Sequence, residues 1–129
     1  MNEQPMTPIP VVNPKISFED FAKIEVRAGK ILSAEKIPDT DKLLKLSVDF
    51  AEKDELGNAK PRQIVSGISF YFPDPQTLVG KTAMFVTNLE PRVIKGHESN
   101  GMLFAVSTPE GAFSLLEPST NIPPGAKAK

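Results

Sequence analysis

The sequence has no cysteine and only one histidine, His97, among its 129 residues. Without cysteine there is neither a disulfide framework nor a thiolate zinc site, and one imidazole cannot build a histidine cluster, so structural zinc is excluded. No stretch approaches the roughly 18 apolar residues that a membrane-spanning helix needs. Met1–Pro14 has neither a basic leader nor an apolar signal core, so the expected location is the cytoplasm, with no membrane partner. A one-sided charge is missing too: 15 Lys+Arg face 16 Asp+Glu, with net −2 in residues 1–60 and net +1 in residues 61–129. Any nucleic-acid site must therefore rest on particular residues rather than on a general field. At about 100–200 residues per domain the chain fits a single domain.

What is present reads mostly as short strands. Pro5, Pro8, Pro10 and Pro14 deny the start of the chain a helix, so residues 1–16 are expected to be a flexible leader or linker before a domain over 17–129. Ser17 before Phe18, Glu19 and Asp20 is an N-cap signal for a short helix Ser17–Lys23, with Phe18 and Phe21 on its buried face. From Ile24 the period becomes two and runs through Leu32, which predicts one long strand bent at Gly29. Leu44, Leu46, Val48 and Phe50 alternate with polar residues in a second strand, and Glu52–Lys60 forms a hairpin loop into the strand Arg62–Ile68. Phe72-Pro73-Asp74-Pro75 breaks the pattern and opens a helical turn through Leu78-Val79. Lys81–Leu89 is strand-like, and Met102–Val106 and Ala112–Leu116 flank the turn Thr108-Pro109-Glu110-Gly111. At least five short strands without βαβ alternation predict an all-β barrel or sandwich.

Catalytic patterns are absent or only apparent. Gly80-Lys81-Thr82 resembles the end of a phosphate-cradling loop, but Pro75 stands where the first glycine is required and removes a needed amide. Ser66 and Ser99 are candidate nucleophiles without a partner, because His97 falls in a Gly96–Glu98 turn and no Gly-x-Ser-x-Gly elbow exists. Asp39/Asp41 and Asp54/Glu55 fall in turns, where carboxylates bond to local amides. No cofactor or metal is expected.

Four segments occur in a telling order: Asp41-Lys42-Leu43-Leu44-Lys45-Leu46, Arg62-Gln63-Ile64-Val65-Ser66-Gly67-Ile68, Asn88-Leu89-Glu90-Pro91-Arg92 and Gly96-His97-Glu98-Ser99-Asn100-Gly101-Met102. Together, over about Phe18 to Ala126, they resemble the tRNA-binding domain of methionyl-tRNA synthetase C-termini, free-standing bacterial tRNA-binding proteins and the endothelial monocyte-activating polypeptide. The resemblance implies an OB-fold five-stranded barrel with a short N-terminal helix and extra C-terminal strands. It also implies a non-enzymatic module that binds tRNA by shape, a homodimer when it stands alone, and an aminoacyl-tRNA synthetase as a further partner. The chain departs from the family's usual basic character, with Glu52, Asp54 and Glu55 in a longer loop Ala51–Lys60.

The matched residues suit that role chemically. Lys42, Arg62, Arg92 and Lys95 are candidate phosphate ligands, the arginines in two-pronged fashion. Asn88 and Gln63 can donate and accept, and Asn88 could read a base edge or a 2′-hydroxyl. In the family the Ser-x-x-Met arrangement, here Ser99 and Met102, lines the binding surface, a hydroxyl beside a soft thioether. All eight should converge on one exterior wall. Two alternatives accompany this reading: a chaperone-like binder of unfolded polypeptides, as in a related dimeric branch, and a domain that only tethers or dimerises a larger synthetase.

Overall fold

The computed structural model of the protein describes residues 13–129; the expected leader lies outside them except for Asn13–Ile16, which form no regular element. The Ser17 hydroxyl accepts the Asp20 amide at 3.0 Å and caps helix α1 (Phe18–Phe21). The helix ends after one turn, and its aromatic face differs from expectation. Phe18 is 78% and Phe21 51% exposed, because no described element lies over them.

Nine strands follow: β1 (Val26–Lys36), β2 (Leu44–Asp49), β3 (Arg62–Ser66), β4 (Thr82–Val86), β5 (Arg92–Ile94), β6 (His97–Ser99), β7 (Met102–Leu103), β8 (Ala105–Ser107) and β9 (Phe113–Leu115). Five of them make one antiparallel sheet in the order β3-β2-β1-β4-β7. The alternation that predicted β2 is the one observed: Leu44, Leu46 and Val48 are buried, while Lys45, Ser47 and Asp49 lie half-exposed between them. With Ile31, Ile64, Leu78 and Phe85 they fill the barrel, each contributing about 1.5–3 kcal/mol by leaving water.

β1 is long because it serves two partners, β4 through Val26–Lys30 and β2 through Lys30–Lys36. The strand is not interrupted at Gly29. Its extra residue is Leu32, unpaired between Ile31↔Val48 and Ser33↔Ser47, a bulge that helps the strand coil around the barrel. Gly29 is glycine for another reason: a Cβ there would lie 2.5 Å from Val48 Cγ1 and 2.6 Å from Phe50 Cε1. The sheet then nearly closes on itself. The Asn100 amide donates to the Gln63 carbonyl at 2.8 Å and the Val65 amide to Ser99 Oγ at 3.0 Å, so the chain between β6 and β7 lies along the outer edge of β3. The result is an OB-like, all-β barrel.

Short 3₁₀ turns connect the strands. Pro75–Leu78 begins at Asp74, whose carboxylate accepts the Gln76 amide, and it plugs the barrel with the fully buried Leu78. Beyond the β8–β9 hairpin the tail returns to β1: Gly125 N donates to Ala28 O (2.7 Å), Ala28 N to Ala126 O (2.8 Å), and Ala128 N to Val26 O (2.8 Å). No helix among the described residues is long and apolar enough to cross a membrane.

Candidate nucleic-acid interface

Arg62 opens β3 at the end of the barrel where β1, β4 and the tail meet. Its Nε and Nη2 donate to both carboxylate oxygens of Glu52 at 2.8 and 2.6 Å, and its Nη1 donates to the Thr87 carbonyl at 2.6 Å. The guanidinium carbon also lies 5.3 Å from the centre of the Phe50 ring. This pairing holds the Glu52 carboxyl below its ordinary range and raises Arg62. A second pair lies beside it. Arg27 Nε and Nη2 donate to Glu25 at 2.9 and 3.1 Å, Thr87 Oγ1 donates to the same carboxylate at 2.6 Å, and Arg27 Nη1 reaches the Gly125 carbonyl at 2.7 Å. The Arg27 and Thr87 bonds hold Glu25 down at about 2. Polar contacts thus run without interruption from Glu52 through Arg62, Thr87, Glu25 and Arg27 to the tail.

The Glu52–Lys60 loop is itself a small ordered hairpin. Lys53 and Ala59 form a bridge, the Lys60 amide donates to the Glu52 carbonyl at 2.9 Å, and Asp54 Oδ1 accepts the amides of Leu56 and Asn58. The carboxylates of Glu52 and Asp54, which look repulsive to a polyanion in the sequence, are therefore engaged by intramolecular partners, Arg62 for Glu52 and the loop amides for Asp54. Between this loop and β6 runs an open groove of about 610 Å³, lined by Lys53 and Lys60 on one side, Arg62 and Gln63 on its floor, and Glu98 and Asn100 on the other. Sequence reasoning passed over Lys53, Lys60 and Asn100. Asn100 lies inside the fourth family segment but was given no role, whereas no motif marks Lys53 or Lys60, and only the fold of the loop turns the two lysines toward one groove.

The β5–β6 hairpin was also not foreseen. Lys95 (φ +50°) and Gly96 (φ +83°) both take left-handed geometry in a two-residue turn, so His97 begins a strand opposite Ile94 instead of occupying a turn. The same hairpin leaves Arg92 and Lys95 exposed. Gln63 is exposed too, and its Nε2 donates to the Glu98 carbonyl at 2.9 Å. Met102 pairs with Val86 and is 44% exposed.

Three expected ligands are committed elsewhere. Arg62 is tied as described. Asn88 accepts the Glu25 amide at 2.8 Å and donates to the Lys23 carbonyl, clamping the start of β1 with both ends of its amide. Ser99 is only 4% exposed, its hydroxyl joining Val65 N to the Gly101 carbonyl, so it fastens the barrel seam from inside. Lys42 is exposed but stands apart. It precedes Leu44, which pairs with Ser66, whereas Arg62 pairs with Val48. At about 3.3 Å per residue Lys42 is about 20 Å from the groove. The other seven gather around the β3 start, the β4 end and the β5–β7 segment, with only some of them presented to solvent.

Residues 26–127 match the family model described as "Putative tRNA binding domain". The chain belongs to this tRNA-binding domain family. The methionine–tRNA ligase of Methanospirillum hungatei is 49% identical over 116 residues, 90% of this chain, and that of Azoarcus sp. is 41% identical over 120 residues, 91% of it. In each case the chain spans only 16% of the ligase. Among solved structures, a MetRS-related protein from Pyrococcus horikoshii superposes with a TM-score of 0.79 at 36% identity, covering 91% of this chain and all of that one. The chaperone CsaA of Bacillus anthracis gives 0.73 at 28%, covering 90% of this chain and all of that one. Both the OB-like fold and the relation to methionyl-tRNA synthetases are thereby established.

Proposed function

We propose that this domain is a non-catalytic module that holds folded tRNA by its backbone shape, on its own or as an appendage of a methionine–tRNA ligase. The observation that carries this reading is the family match across the whole barrel, from the first residue of β1 to the tail beside it. The geometry supplies the means. Lys53 and Lys60 face a groove that Gln63 also lines, where Arg62 neutralises Glu52, and Arg92 and Lys95 add exposed cations on the neighbouring hairpin beside Glu98. Phosphate contacts of this kind fix orientation without reading sequence.

Filter binding with total tRNA at two salt concentrations is the test. Binding should weaken as salt rises, and each of Lys60→Ala and Arg92→Ala should flatten the slope by about 0.7–0.9. Salt-insensitive binding, or none, would remove the reading. The likeness to CsaA supports a second reading as a polypeptide binder, at lower identity than the ligases. An unfolded polypeptide that displaces tRNA from the groove would favour it. We further propose a two-fold homodimer, because Phe18, Phe21 and Ile24 line an open apolar groove of about 360 Å³ with Lys127–Lys129. Light scattering that returns one chain's mass at micromolar concentration would contradict this.

A further inference from the structure

At the end of β3 far from the groove, the 3₁₀ turn Ser69–Tyr71 presents an aromatic cluster that the sequence reads differently. As a strand, Phe70-Tyr71-Phe72 would leave Tyr71 the exposed ring. As a turn, it leaves Phe70 82% exposed and Tyr71 only 36%. The ring of Tyr71 stacks on Phe113 of β9, with centroids 4.2 Å apart and planes 10° from parallel, and Phe72 meets the same Phe113 edge-on at 5.9 Å. Phe70 stands edge-to-face on Tyr71 at 5.5 Å. Backbone bonds from Tyr71 N to Ile68 O and from Phe72 N to Ser69 O fix the turn, and Ser69 N donates to the Lys42 carbonyl at 3.0 Å. The outermost ring is thus held on a pedestal of packed rings, and the backbone of Lys42 is bonded to the first residue of the turn that carries it.

We infer that Phe70 is a stacking platform for one unpaired base of the bound RNA, with Lys42, bonded to the same turn, to meet the adjoining phosphate. The inference rests on the tRNA-binding reading and extends it to a second contact. Three observations favour a base. The platform continues β3, the strand whose other end floors the groove, so one extended ligand can reach both. It offers one exposed ring backed by other rings, which suits the π-face common to all bases. Finally, it accounts for Lys42 standing about 20 Å from the groove. Asp39 and Asp41 share the turn with Lys42, so little net charge collects there and stacking dominates the contact.

The chain contains no tryptophan, so Phe70→Trp installs a single indole reporter. Total tRNA should quench that fluorescence over the concentration range in which the same variant binds on filters. A fully paired, blunt RNA duplex should bind without quenching. Phe70→Ala should weaken tRNA binding about fivefold or more while leaving the salt slope unchanged, because stacking releases no counterions. Thermal unfolding of both variants at the wild-type temperature would exclude a folding defect at this exposed position. If wild type binds tRNA but the indole is silent and Phe70→Ala binds normally, the platform is refuted while the tRNA-binding reading stands. Equal quenching by the duplex, or quenching by an unfolded polypeptide alone, also overturns it. If wild type fails to bind tRNA at all, the parent reading fails first.

Discussion

Arg62 and Arg92 carry the same guanidinium and lie in neighbouring parts of the fold, yet their surroundings set them to opposite work. Arg62 sits at the end of the barrel, where a carboxylate and a carbonyl engage its Nε, Nη1 and Nη2 and the Phe50 ring lies against it. Arg92 lies on a two-stranded ribbon with no second layer over it and remains exposed. Where strands converge, a cation is absorbed into folding; where a hairpin projects, it stays available to a ligand. A motif records the residue type and not which of these two situations it will meet.

The contrast can be broken most forcibly at Arg62. Arg62→Ala leaves the Glu52 carboxylate and the Thr87 carbonyl without their donor and should cost about 3 kcal/mol in urea unfolding. Arg92→Ala should stay within about 0.5 kcal/mol. Equal costs would erase the distinction. A smaller effect lies in the adjoining pair. With Glu25 lowered from 4.5 to about 2 in the folded protein, its stabilisation is complete above pH 4.5 and is lost as pH falls toward 2, a loss on the order of 1–2 kcal/mol after solvent screening. Glu52 acts in the same direction. Glu25→Gln should lower stability at neutral pH and flatten the acid limb of a stability-against-pH curve; an unchanged limb would assign the acid sensitivity elsewhere. The mildest contrast is electrostatic: Arg92→Ala should change the salt dependence of tRNA binding without moving the unfolding midpoint.

Much of the barrel was legible in the sequence because β2 and its neighbours write their burial as a period of two. The β5–β6 hairpin was not, since strands of three residues show no period and Lys95-Gly96 is a weaker turn signal than Asn-Gly. The helix cap at Ser17 was readable, but the burial of Phe18 and Phe21 was not, because periodicity shows that a face is apolar and never what covers it. At the candidate site, the family segments picked out residues of which all but Lys42 lie near one another at one end of the molecule. They could not show that Arg62 has Glu52 as its partner, ten positions earlier across a loop, or that the Ser99 hydroxyl turns inward to bridge Val65 and Gly101. Lys53 and Lys60 lie in a loop where acids outnumber them in the sequence, and it is the internal bonds of Glu52 and Asp54 that offset this.

The tail laid against β1 has a consequence for how the molecule comes into being. Gly125 and Arg27 are joined by a hydrogen bond across 98 positions of sequence, and Ala128 meets Val26 on the same seam. Contacts so distant along the chain are slow to find. During synthesis on a ribosome, β1 must wait, with one flank open, until nearly the whole domain has emerged, so the ends of the described chain are the last parts to be zipped together.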